Sequence, residues 1–148
     1  MQRSKIYIGS KVMLFLGWYT IIIAVLWIFA TKIMFVSDFE AYVGVTYSEY
    51  IKLYPEVTEL YIITKKMIGI FLLMNGLLIL LINQFGYSKG EKWSWYALLI
   101  AGSTPWGTFI AYKLFIWYIG VSMVTFALGA ALFIIGITLP AKEILSKK

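Results

Sequence analysis

Between Trp93 and Ala141 the chain carries one charged side chain, Lys113, and residues 12–31 and 67–88 carry none. Uncharged runs of this length constrain the fold more than any other feature. About 20 helical residues cross the ~30 Å hydrocarbon layer of a bilayer, and inside that layer each backbone N–H and C=O has to be satisfied within its own segment, as a helix does. The composition agrees: 61% of residues are hydrophobic and 14% charged, against about 45–50% and about 25% in a soluble domain. The surplus apolar surface needs lipid, since a chain of 148 residues cannot hide it all in one core.

The charge-free runs place four spans at about 12–34, 61–85, 93–112 and 119–139 in one domain. The 93–141 run is too long for a single crossing and suits two, with the turn at Lys113 and the following LFIWYIG. The first run is longer than the apolar part of a secretory signal and lacks a small-residue cleavage motif, so it is expected to be retained as a span. With the N-terminus inside, the inner segments hold Arg3, Lys5, Lys11, Lys89, Lys92, Lys142, Lys147 and Lys148. The outer ones hold Lys32, Lys52, Lys65, Lys66 and Lys113. This bias predicts a multi-pass protein of the plasma membrane with both termini in the cytoplasm.

Small residues recur along each span: Gly17, Thr20, Ala24 and Thr31; Gly69, Gly76 and Asn83; Ala97, Ala101, Thr104, Thr108 and Ala111; Ser122, Thr125, Gly129 and Gly136. Such stripes let membrane helices approach closely, and their seven-residue period predicts an all-α, left-handed four-helix bundle.

The segment between the first two spans, GVTYSEYIKLYPEVTELYIITKK, carries its own signals. Thr46 with Glu49 three residues on is a capping box, and Tyr47, Tyr50, Ile51 and Tyr54 fall on one helical face. A short amphipathic helix over about 46–54 follows, its tyrosines resting on the bundle end or the membrane, or serving as a docking surface. Pro55 suits the first turn of the next helix. Lys65 and Lys66 mark where that helix enters lipid; they either snorkel to the interface or hold a lipid headgroup.

Asn75, in the middle of the second span, needs a partner, either in a neighbouring helix or in a ligand pocket. In AGSTPWG, residues 101–107, Pro105 lacks the N–H that would bond the carbonyl of Ala101. The resulting kink either lines a pocket with Thr104 and Trp106 or is closed by Ser103 or Thr104. Asp38, Glu40, Glu49, Glu56 and Glu59 are expected to be solvated, with Lys113 within reach of them across the outer surface.

The chain has no cysteine and no histidine. Disulfides, thiolate or histidine metal sites, histidine-held haem and histidine acid–base pairs are therefore excluded, and no cofactor is expected. The positive charges sit at the ends of apolar segments rather than on one face, which argues against nucleic acid.

In GYSKGEKWSWYALL, residues 86–99, a turn through Lys89, Gly90, Glu91 and Lys92 leads into Trp93, Trp95 and Tyr96, an aromatic belt at the inner face. Together with Phe39, Tyr42, Gly44 and Pro55, this stretch resembles small four-helix prokaryotic integral membrane proteins, some of them grouped with the DoxX-like families. The resemblance covers about the first two thirds of the chain. It implies a bundle and carries over no catalytic residue.

Three functions are compatible with these features. The first is a non-catalytic accessory or structural subunit of a larger membrane complex, whose partners are lipids and other membrane subunits. The second is a carrier or binding protein for a lipid or other apolar small molecule, with a pocket at the Pro105 kink. The third, an intramembrane enzyme, requires at least two of Asp38, Glu40, Glu56 and Glu59 to converge over a cleft.

Overall fold

The computed structural model describes residues 4–117 and 121–146, and all regular structure among them is helical. The order is α1 (Lys5–Phe29), α2 (Thr31–Val43), α3 (Tyr47–Leu53), α4 (Pro55–Phe85), a 3-10 turn (Tyr87–Lys89), α5 (Lys92–Ile116), α6 (Val121–Thr138) and α7 (Ala141–Leu145). Three segments, Lys5–Phe29, Pro55–Lys89 and Ser122–Leu145, are long and apolar enough to cross a membrane. Helix α5 has the length, 25 residues, but its serines, threonines and two lysines lower its hydropathy. The four apolar runs expected from the sequence thus become three by composition, with a more polar α5 packed beside them.

The first rod is shorter than expected. It stops at Phe29 rather than near residue 34, and the chain turns at Ala30 into α2. The Thr31 hydroxyl donates to the carbonyls of Trp27 at 2.7 Å and Ile28 at 3.2 Å, taking acceptors that the next turn's amides would have used. Residues 31–43, of which 35–43 are expected to lie between the first two spans, are a helix that ends at Gly44 in the left-handed region (φ 79). Helix α3 begins with the expected box: Glu49 N–H donates to Thr46 Oγ1 at 3.3 Å, and Thr46 N–H donates to Glu49 Oε2 at 3.2 Å. Helix α4 starts on Pro55 and runs for 31 residues, about 46 Å. It is longer than the hydrocarbon layer of a bilayer is thick.

Helices α1 and α4 make the closest pair. A Cβ on Gly76 would lie 3.0 Å from the Gly17 carbonyl oxygen, and one on Gly69 would lie 3.1 Å from that of Ala24. These stripes act as backbone-to-backbone seams. On α6, Gly129 takes the ring of Trp106, while Gly102 of α5 takes Phe133. The buried face of α5 is rotated away from the expected stripe. The buried face is Ser94, Leu98, Gly102, Trp106 and Lys113, whereas Thr104, Thr108 and Ala111 are exposed. Thr104 and Thr108 turn their hydroxyls onto the carbonyls of Ile100 (3.0 Å) and Thr104 (2.7 Å), so they face outward without an unmet donor.

The start of α1 and helix α7 meet at one end of the molecule. The Glu143 carboxylate accepts the N–H groups of Lys5 at 3.4 Å and Ile6 at 3.2 Å, capping α1 from α7. The 86–91 turn closes the same end, with Gly90 in the left-handed region (φ 73), Tyr87 fully buried and Trp95 Nε1 donating to Ile137 O at 2.9 Å. Trp93 and Tyr96 remain exposed there. The opposite end holds α2, α3, the start of α4 and the end of α5. There Phe35, Phe39, Tyr47, Tyr50 and Tyr61 pack edge to face.

Candidate functional site

The functional features gather along the crevice between α4 and α5. Near its middle Asn75 Nδ2 donates to Ala101 O at 2.7 Å, the carbonyl that Pro105 leaves without its helical donor. Ser103 and Thr104 bond Ile100 instead, so the closure expected of them is made across the helices by Asn75. The other Asn75 atom, Oδ1, is buried and has no partner among the described residues.

Around this point opens a groove of about 410 Å³, lined by Phe71, Leu72, Asn75, Ala101, Thr104 and Pro105 among others. Of the four residues grouped by the sequence, Asn75, Thr104 and Pro105 share this groove. Trp106 does not: it turns into the core, against Gly129 and 6.4 Å from the ring of Tyr19.

About three turns toward the α2–α3 end, the crevice holds three buried charges. Asp38 (2% exposed) accepts Lys113 Nζ on both oxygens at 2.7 Å and Ser122 Oγ at 2.9 and 3.0 Å. Asp38, expected in solvent, is instead the buried centre that ties α2 to α5 and α6. Lys113 does reach it, but inside the fold rather than across its surface.

The third charge is Lys65, 7% exposed. Its ammonium lies 4.8 Å from the ring centre of Tyr61, 4.9 Å from Tyr112 and 6.0 Å from Trp27. Asp38 and Lys113 both lie within electrostatic reach of it. The snorkelling expectation therefore fails for Lys65, which points inward. It holds a place on the wall of a second groove, of about 350 Å³, with Tyr61, Tyr112, Asp38, Tyr42 and Phe115. Lys66, one residue on, faces outward beside Lys32 and the α1–α2 break.

Burying an ammonium costs several kcal/mol even after relaxation, while a desolvated cation–π contact contributes about 2. Three rings lower that cost without supplying a counter-charge.

The tyrosine face of α3 turns inward as well. Tyr47 is buried and Tyr50 half-buried against Phe39, which leaves Tyr54, 52% exposed, as the one tyrosine of the three on the surface. A docking surface of all three is not what the fold presents. The carboxylates do not converge either. Asp38 is held by Lys113, Glu40 accepts the Tyr47 N–H at 2.8 Å, and Glu56 and Glu59 are exposed. Among the described residues no cluster of acidic side chains could hold a metal ion.

Comparison with protein-family models, with curated proteins and with solved structures gives no match.

Proposed function

We propose that the protein is an integral membrane binding protein or carrier that takes a lipid chain into the α4–α5 crevice. One observation carries this reading: an apolar groove follows these two helices over residues 68–75 and 100–109, with Asn75 at one level, and the groove that holds Lys65 lies on their next turns. Ten residues separate the two levels, about 15 Å of helix, which is half the hydrocarbon thickness. The 20 residues from Lys65 to Phe85, about 30 Å, match one full hydrocarbon thickness, so the proposal takes Lys65 at one interface and Asn75 near the midplane.

The reading takes α5 as a fourth crossing, in the left-handed bundle that the seven-residue stripes predict, with both termini in the cytoplasm. Two facts support that arrangement: α1 and α7 meet at one end, and Lys65 and Lys113, counted among the outer positive charges, are internal and so leave the outer surface less basic.

The test is retention of lipid by the full-length protein in neutral detergent, counted by native mass spectrometry. Wild type is expected to keep one lipid. Thr104→Trp, an exposed groove position, should lose it with an unchanged unfolding midpoint. If wild type carries no more lipid than Thr104→Trp, the reading fails. A partner co-purifying in fixed stoichiometry would then favour the accessory-subunit function.

A further inference from the structure

We infer that the groove's occupant is an acidic amphiphile, whose single carboxylate or phosphate headgroup is received by Lys65 inside the ring of Trp27, Tyr61 and Tyr112. This rests on the groove reading above and adds the chemistry of the head.

The outer end of the crevice buries two ammonium groups and one carboxylate. Asp38 is committed: Lys113 reaches both of its oxygens, and the Ser122 hydroxyl adds to each. Lys65 has no carboxylate within ion-pair distance among the described residues, only three aromatic faces. A second buried anion would balance the group, and the chain supplies none there. The lysine is not sealed off, since it lines the second groove, which lies on the next turns of the two helices that form the apolar one. A cation at interface depth above an apolar slot matches a molecule with one negative head and a hydrocarbon tail. Asp38 on the same wall does not repel such a head strongly, because Lys113 and Ser122 neutralise and screen it.

Selectivity tests the idea. Full-length protein in neutral detergent is incubated with equal amounts of phosphatidylglycerol and phosphatidylcholine, and the bound lipid is identified by native mass spectrometry. Wild type should favour phosphatidylglycerol about tenfold. Lys65→Met should keep a lipid and lose the preference, Lys65→Arg should keep both, and Lys66→Met, on the outward face, should match wild type. A preference surviving Lys65→Met, or lost equally in Lys66→Met, overturns the inference. So does release of the lipid by excess inorganic phosphate alone, which would make this a free-anion site. Should Lys65→Met not fold, the wild-type preference decides by itself, and its absence overturns the inference. Lipid bound without preference sinks only the headgroup assignment; no lipid on any variant sinks the groove reading with it.

Discussion

At the scale of single residues, the buried charges predict an asymmetry. Removing one partner of a buried pair costs about 3–5 kcal/mol, because the other is left uncompensated. Here the two deletions are not equivalent. Lys113→Met leaves Asp38 with Lys65 still in electrostatic reach, a neutral combination. Asp38→Asn leaves two buried ammonium groups and no anion. We expect Asp38→Asn to lower the unfolding midpoint in detergent clearly more than Lys113→Met does, and the double variant Asp38→Asn/Lys113→Met to recover part of the loss; equal effects of the two single changes would show that Lys65 is not coupled to them. Outside the three membrane-length segments, Glu49 gives a pH-dependent case. The Thr46 hydroxyl, donating to its carboxylate at 2.7 Å, and then the Thr46 backbone N–H hold its pKa below the usual glutamate value of about 4.3. A depressed folded pKa means that the carboxylate's contribution to α3 is complete above the ordinary value and is lost as pH falls through the lowered one. An NMR titration of the Glu49 carboxyl should show this depression, and Thr46→Val, which keeps the backbone N–H, should remove the larger part of it.

At the scale of elements, the recurring device is a proline-freed carbonyl closed by a side chain from another element. Pro105 orphans Ala101 O, which Asn75 of α4 satisfies; Pro140 orphans Gly136 O, and Tyr87 of the 86–91 turn donates its hydroxyl to it. Each bond joins two elements at a point where lipid or core offers no water. A double-mutant cycle can isolate the first. Asn75→Leu should cost about 1–3 kcal/mol, the cost of a buried acceptor left unmet. In a Pro105→Ala background the restored N–H at 105 can take Ala101 O, and the same change should cost about 1 kcal/mol less. Equal costs in the two backgrounds, read from unfolding curves, would mean that the carbonyl is not what Asn75 serves. Half of this device is visible in the sequence, because proline names the carbonyl it frees. The partner is not, since Asn75 and Tyr87 lie 26 and 49 residues away from their acceptors. The same distinction explains the rest. The Thr46–Glu49 box, the Pro55 start and the glycine seam of α1 with α4 are local or periodic signals, and they were readable. Helix α2 has no such period, so Asp38 passed for a solvated loop residue. The α5 face was misassigned because threonine counts as small and polar alike, and here its hydroxyls bond their own helix.

At the scale of the whole molecule, the question is which ends share a side of the membrane. Helices α1 and α7 meet through Glu143, and the 86–91 turn closes the same end, while α2, α3 and the end of α5 lie at the other. If the bundle crosses four times, Ser88 and Ser146 face the cytoplasm and Ser48 and Trp117 face outward. The chain contains no cysteine, so a cysteine placed at any of these exposed positions is the only thiol present. In intact cells a membrane-impermeant maleimide should label Ser48→Cys and Trp117→Cys, and should reach Ser88→Cys and Ser146→Cys only after the membrane is opened. Reversal of the two groups would leave the bundle standing and invert it, against the lysine bias. Trp117 behaving like Ser88 is the more damaging outcome. Helix α5 would then enter and leave by one face, Lys65 and Asn75 would no longer mark an interface and a midplane, and a slot for a lipid chain would lose the depth that defines it.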